Sequence, residues 1–248
     1  MDVTNIVPIR AFQDNYIWCL RRGSAAVVVD PGDAAPVLDY LSKEGLRLAA
    51  ILATHHHSDH VGGNTALLSK YNVPVFGPAH EKIPGITRAL REGDTIEVPG
   101  VGLHLRVFDI PGHTAGHIAY HGDGVLFCGD TLFAAGCGRL FEGTPQMMYD
   151  AMRVLGALPD ETLVYCGHEY TQGNLAFAAQ IEPDNRAVLD KRQRVAAIRA
   201  RAAADWHEAT PDEMTVPSTL ADERATNLFL RAASAEDLGR IRKLKDAF

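Results

Sequence analysis

The sequence predicts an α/β domain followed by an all-helical C-terminal segment, and three observations carry that reading. Short β-rich runs alternate with helix-like stretches through the first two thirds of the chain, strand signals almost vanish after about Glu169, and the length suits one large domain with an appendage. With 248 residues and 46% apolar content, the chain can bury a sizeable core without making two full domains. The expected strands are Val3 to Ile9, Tyr16 to Leu20, Ala25 to Asp30, Ala49 to Ala53, Leu103 to Ile110 and Gly124 to Cys128, broken by Gly, Pro and Asp. Between them Ala34 to Glu44, Asn64 to Tyr71 and Gln146 to Leu155 read as helices bounded by capping or breaking residues. Ala, Arg and Leu at helical spacing continue from Leu175 through Ala204 and from Glu236 to Phe248. The stretch Thr210 to Asn227, containing TPDEMTVPSTL, reads as an ordered crossing loop. The expected division is residues 1–170 and 171–248.

Composition excludes several classes. The first twenty residues mix acidic and amide groups with apolar ones, so neither a secretory core nor a membrane span is expected there, and a cytoplasmic protein is. Cys19, Cys128, Cys137 and Cys166 are far apart with no CxxC pair, which argues for reduced, mostly buried thiols. A formal net charge of −7 offers no general attraction to phosphate backbones, so no nucleic-acid partner is expected. The expected partner is a small molecule, the expected state a monomer.

Four of the eleven histidines fall between Thr54 and His60. The run THHHSDH follows the apolar Ile51, Leu52 and Ala53 and precedes a Gly62-Gly63-Asn64 turn that opens a helix. In extended chain alternate residues share a side, so His55 and His57 point together and His56 points away. As the chain turns into the helix, Asp59 and His60 reach a second point nearby. One loop thus seeds two metal poles. Three more candidates each follow a strand and a glycine: His113 after Pro111-Gly112, Asp130 after LFCG, and His168 after LVYCG. Ligands at the ends of separate strands are held by a rigid sheet. Imidazole and carboxylate donors suit borderline metals such as zinc, iron and manganese being accepted too, and a carboxylate such as Asp130 can bridge two ions. Two ions roughly 3.5–4 Å apart can hold a hydroxide nucleophile.

A lone loop histidine is usually structural or solvated, and His80, His104, His121 and His207 are read that way. His56 and His117 at most support a ligand. Asp30, ending VVVDPG, either orients a ligand imidazole or merely starts a turn.

In order, THHHSDHVGG, PGHTAGH, CGDTLF and CGHEY resemble the successive motifs of the metallo-β-lactamase superfamily, and most closely glyoxalase II (hydroxyacylglutathione hydrolase). The resemblance runs from FQDNYIW through FAAGCGRLFEG to VPSTLADERATN and the final RKLKDAF. It implies a four-layer αββα sandwich with a helical C-terminal domain that helps to bind glutathione. It implies one metal on His55, His57 and His113, a second on Asp59, His60 and His168, and Asp130 between them. It further implies that Arg242 and Lys245 grip the glycine carboxylate of glutathione, and that Arg139 and Tyr170 contact substrate. Without the resemblance, the spacing of Arg242 and Lys245 would equally describe a solvated helix face. Phe141 stands where some members have Tyr, and Leu228 follows Asn227 where a Pro is expected.

The implied reaction is hydrolysis of S-(2-hydroxyacyl)glutathione, chiefly S-D-lactoylglutathione, to glutathione and D-lactate, with a metal-bridging hydroxide as nucleophile and Asp59 and Asp130 as the catalytic carboxylates. A thiolate leaves without a strong general acid, and Asp59 is expected to orient rather than protonate. The competing readings are a single-iron glutathione persulfide dioxygenase and a non-catalytic binder of glutathione conjugates.

Overall fold

A computed structural model describes residues 5–202, 206 and 213–248. Val3 and Thr4 of the first expected strand, Ala203 and Ala204 of the long expected helix, His207, and Thr210 to Asp212 of the expected loop lie outside the described residues. By its internal contacts the chain divides into two compact units, Met1–Asp109 with Gly116–Asp123, and Ile110–Ala115 with Gly124–Phe248.

The first unit opens with β1 (Asn5–Ala11), β2 (Asn15–Arg22), β3 (Ala25–Val29), α1 (Ala34–Glu44) and β4 (Arg47–Leu52). The short helices α2 (Ser58–Val61) and α3 (Asn64–Leu68) and the strands β5 (Val75–Pro78) and β6 (Arg88–Leu90) follow. Strands β1 to β6 form one sheet in sequential order, antiparallel across β1, β2 and β3 and parallel from β3 to β6. Strands β7 (Thr95–Glu97), β8 (His104–Asp109) and β9 (Ile118–Gly122) pair antiparallel. Inner strands β2 to β4 are apolar almost without interruption because both faces are buried, whereas β8 alternates buried and exposed at its start.

Helix α1 has the bounds its sequence announces. The Asp33 carboxylate accepts from the Ala35 N–H at the start, Gly45 takes the left-handed conformation (φ 64°) at the end, and Ala34, Val37 and Leu41 make the buried stripe. Helix α3 stops at Leu68 instead of reaching Tyr71. The Ser69 hydroxyl donates back to the Ala66 carbonyl at 2.7 Å, a local bond that competes with helix continuation.

The second unit contains β10 (Val125–Gly129), the hairpin β11 (Leu132–Phe133) and β12 (Gly136–Cys137), α4 (Pro145–Leu155) and β13 (Leu163–Cys166). Helices α5 (Thr171–Ile181) and α6 (Arg186–Arg199), the two-residue strand β14 (Ser218–Thr219), and helices α7 (Leu220–Thr226) and α8 (Ala235–Asp246) complete it. Strand β13 runs parallel to β10 and antiparallel to β14. The long helix expected from Leu175 is two helices. Pro183 has no N–H to donate and pushes Glu182 to φ −125°, ψ 70°, after which Asn185 caps α6 by accepting from Val188 N. The expected loop to Asn227 contains α7, which Thr219 caps by accepting from Asp222 N, with Asp222 and Glu223 in its first turn.

No helix among the described residues is long and apolar enough to cross a membrane. All four cysteines are free and buried. Burial pushes the thiols of Cys19, Cys137 and Cys166 from 9.0 up to about 12 and that of Cys128 well above 9.0.

Thiol reagents should therefore leave the native protein unmodified at pH 8 over a time in which all four thiols react in denaturant, as counted by mass spectrometry. Because the folded pKa values are raised, the unfolded thiols ionise first. Denaturant melts should show stability intact below about pH 9 and lost progressively as pH rises toward 12.

Candidate active site

In the first unit the loop Ala53–His57 leaves the end of β4 and is pinned there by backbone and side-chain bonds. Ile118 N–H donates to the Thr54 carbonyl at 3.0 Å and the buried Tyr120 hydroxyl to the Ala53 carbonyl at 2.8 Å. Asp30 follows β3 in the left-handed region (φ 53°), a conformation that costs a non-glycine residue roughly 1–3 kcal/mol unless its surroundings hold it. They do: its carboxylate accepts from Thr54 N at 2.7 Å and Thr54 Oγ1 at 2.7 Å, and lies 3.1 Å from His60 Nδ1. Gly32 completes the fit, since a Cβ there would meet the Asp59 carbonyl oxygen at 1.8 Å.

These bonds fix tautomers. The Thr54 hydroxyl gives its proton to Asp30, so at 3.0 Å it accepts from His55 Nδ1–H, which leaves His55 Nε2 unprotonated. His60 Nδ1–H donates to Asp30, which frees His60 Nε2 in the same way. His55 Nε2 lies 3.2 Å from His57 Nδ1. Two nitrogens each about 2.0–2.1 Å from a tetrahedral zinc are separated by about 3.3–3.4 Å, so this pair has the spacing of two ligands of one ion. His60 Nε2 is 3.5 Å from Asp59 Oδ2, beyond hydrogen-bond length and again close to a ligand edge. His55 and His60 are buried, while the Asp59 side chain is 41% exposed.

The second unit carries the other three candidates. Asp130 comes directly after Gly129 at the end of β10, and His168 follows Cys166 and Gly167 at the end of β13. Gly167 N–H donates to the Gly129 carbonyl at 2.9 Å, which sets the two strand ends side by side. One oxygen, Asp130 Oδ2, lies 3.4 Å from His113 Nε2 and 3.3 Å from His168 Nε2. His113 Nδ1 donates to the Arg139 carbonyl at 2.8 Å, so its Nε2 is the unprotonated nitrogen. A single carboxylate oxygen against two imidazole nitrogens at ligand-edge spacing is the arrangement a bridging carboxylate needs. The donor set in both units therefore fits divalent borderline ions.

Arg139, Phe141 and Arg242 line one cleft of about 330 Å³ together with Pro145, Gly239 and Asp246. Arg242 is buried and donates to the Cys137 carbonyl at 2.9 Å and to Asp246 at 2.8 Å. Tyr170 and Lys245 do not line this cleft. The Tyr170 ring stacks on His168 with centroids 4.8 Å apart, and Lys245 donates to the Gly173 carbonyl at 3.1 Å beside the Phe177 and Phe248 rings. Burial pushes the Lys245 pKa down, and the charges of Arg242 and Arg139 push it the same way. Phe141, 63% exposed, places its ring 5.2 Å from that of His113.

Among the other histidines, His56 pairs with Glu81 at 3.0 Å, His80 with Arg91, and the buried His117 stacks on His55 at 4.5 Å. His104 is exposed and His121 half-buried. Asp30 is thus the support for His60 rather than only a turn former. One residue that sequence reasoning left inside a motif is Asn15, buried at the start of β2, whose amide donates to Asp59 Oδ2 at 3.1 Å and to the Asp59 carbonyl at 3.3 Å. Its signal was a polar amide placed directly before the apolar run YIWCL of the same strand.

Sheets with helices, and candidate ligands gathered at strand ends, define an α/β scaffold suited to metal binding. Comparison with known proteins makes this specific. Residues 12–168 match the metallo-beta-lactamase superfamily and residues 169–248 the hydroxyacylglutathione hydrolase C-terminus. A hydroxyacylglutathione hydrolase of Nitrosomonas europaea is 52% identical over 227 residues, covering 92% of this chain and 83% of that protein. One of Alkalilimnicola ehrlichii is 57% identical over 232 residues, covering 93% and 87%. Among solved structures, ETHE1 from Myxococcus xanthus aligns with TM-score 0.69 at 24% identity over 97% of this chain and 90% of its own. TTHA1623, solved in a di-iron-bound form, aligns with TM-score 0.55 at 30% identity over 66% and 91%. The chain belongs to the hydroxyacylglutathione hydrolase family of the metallo-β-lactamase superfamily.

Asp30→Ala should weaken divalent-metal binding about 10- to 100-fold, because His60 loses the acceptor that fixes its tautomer. Metal content after dialysis against a graded chelator checks this. Unchanged retention would show that the Asp30 contacts serve the loop alone.

Proposed function

We propose that the protein hydrolyses the thioester of S-(2-hydroxyacyl)glutathione, chiefly S-D-lactoylglutathione, with two divalent ions held by His55, His57 and His113, by Asp59, His60 and His168, and by Asp130 between them. The observation that carries this reading is the single Asp130 oxygen set against both His113 Nε2 and His168 Nε2. Family membership supports it, as does the di-iron form of TTHA1623 at 30% identity. Zinc is the first expectation because histidine dominates the donors, and iron or manganese would be accepted by the same set.

Bound there, the ions would supply an ionised water at neutral pH and polarise the thioester carbonyl. The chain's own residues do the rest. Asp30 and the Arg139 carbonyl hold ring protons on the Nδ1 atoms of His60 and His113, so that the Nε2 atoms are unprotonated. Asn15 keeps the Asp59 carboxylate oriented and unable to rotate freely into an acid's role. No residue need protonate the leaving group, since a thiolate departs unaided. Burial first, and then the charges of Arg242 and Arg139, push the Lys245 pKa down, and an anionic glutathione carboxylate beside this ammonium would offset both effects. We further assign the catalytic role to residues 1–170 and glutathione binding to 171–248, with the two family matches meeting at residues 168 and 169. Four free buried thiols support a reducing compartment, the cytoplasm.

The test is hydrolysis of S-D-lactoylglutathione by the purified protein, with metal analysis on the same sample and oxygen uptake with glutathione persulfide as the control. Thioester loss with two metals per chain, abolished in Asp130→Ala, is the expected result. Lys245→Ala should raise KM about tenfold or more with kcat little changed, since a hydrogen bond to a charged group contributes ~1.5–3 kcal/mol. Oxygen uptake without hydrolysis would instead establish persulfide chemistry.

A further inference from the structure

We propose that Glu223 of α7 is a positioning residue for the ligand group His113, Asp130 and His168, acting through the hairpin Leu132–Cys137. This rests on reading those three residues as metal ligands. The hairpin joins Asp130 to Arg139: it starts two residues after the aspartate and ends two before the residue whose carbonyl accepts from His113 Nδ1 at 2.8 Å. Gly138, between hairpin and Arg139, has no room for a side chain, since a Cβ there would meet the Asp130 carbonyl oxygen at 1.9 Å and His113 Nδ1 at 3.0 Å. A displacement of the hairpin therefore moves both ligand supports.

What holds the hairpin is side chains of the helical segment. At its turn Ala135 sits in the left-handed region (φ 55°), where an L side chain needs external support. Glu223 Oε2 accepts from Ala135 N–H at 2.7 Å. The Asn227 amide donates to the carbonyls of Phe133 and Gly136 at 3.0 and 2.9 Å, and the Asn174 amide donates to that of Ala134 at 3.0 Å. Glu223 is fully buried, and its other oxygen accepts from the buried Lys191 Nζ at 2.7 Å, while Oε2 also takes a bond from Asn227 at 3.0 Å. A buried ion pair is a poor route to stability, because packed apolar residues commonly do as well. What the charged pair contributes here is direction. It points a saturated acceptor at one N–H of a strained turn, and the turn sets where the chain on either side approaches the ligands.

Glu223→Gln keeps the shape but turns an amide N–H₂ against the Lys191 ammonium or the Ala135 N–H. Asn174→Ala removes only the bond to Ala134. The experiment titrates metal-free wild type and both variants with zinc against a chromophoric chelator, with near-ultraviolet circular dichroism and a denaturant melt giving the folded fraction. Glu223→Gln should weaken zinc binding per folded molecule about 10- to 100-fold for at least one ion, and Asn174→Ala by several-fold. If Glu223→Gln does not fold, Asn174→Ala decides. Lower melting stability with unchanged zinc affinity in the folded variants would overturn the proposal and leave Glu223 a purely structural residue. Thioester hydrolysis by the wild type is read on the same samples. Its absence while wild type binds zinc would sink the functional reading alone, and the zinc titration would still decide the role of Glu223.

Discussion

The Asp30 carboxylate is the contact on which the first ligand cluster depends. An aspartate after β3 adopts a backbone conformation that is unfavourable for it, and the same residue accepts from a backbone N–H, a hydroxyl and an imidazole. The three bonds act in series on proton positions. Asp30 takes the Thr54 hydroxyl proton, Thr54 thereby becomes an acceptor for His55, and His60 gives Asp30 its own ring proton. Two imidazoles are left with unprotonated Nε2 atoms by these bonds alone. Strain in the backbone and order in the protons have one origin, which is why the αL conformation persists. Gly32 extends the same constraint to Asp59, because only a residue without Cβ lets the turn after Asp30 lie against the Asp59 backbone.

The second cluster is built by a different device. Parallel pairing of β10 and β13 with a bulge after Phe127 brings Gly129 opposite Cys166, and Asp130 follows the first strand directly while His168 follows the second after Gly167. Here the sheet register places the donors, and a carbonyl, that of Arg139, selects the histidine tautomer. Carboxylate in one unit and peptide oxygen in the other perform the same task of holding an Nδ1 proton.

Much of this was legible in the sequence. Strand, glycine, ligand recurs three times, and the extended THHHSDH run separates His55 and His57 from His56, which pairs with Glu81 instead. Helix α1 could be delimited because Asp33 and Gly45 are strong punctuation. What stayed hidden depends on distant partners. Asp30 was ambiguous because an aspartate before Pro-Gly reads as a turn, and only its Thr54 and His60 bonds reveal the support it gives. Asn15, though a polar opening to an apolar run, and Glu223 did not disclose their partners, because an amide or carboxylate declares its role through the atom it faces, 44 and 88 residues away respectively. Pro183 was a readable break that the Ala and Arg periodicity on both sides concealed, and α7 was masked by the Pro, Ser and Thr around its cap.

The segment Gly138–Phe141 joins the cleft to the candidate ligand His113 within the second unit. The Arg139 carbonyl orients His113, its side chain lines the basic cleft with Arg242, and the Phe141 ring lies beside the His113 ring. Arg242 in turn bonds the Cys137 carbonyl at the hairpin's end. On the proposed reading, an anion drawing on Arg139 and Arg242 would pull on the same few residues that hold the His113 imidazole in place. Binding energy from the non-reacting part of the proposed substrate would then help to order the reacting centre. A Tyr at position 141 would add a hydroxyl to this segment. The Phe found here carries none, whereas Arg139 contributes a backbone carbonyl to His113 and a side chain to the cleft.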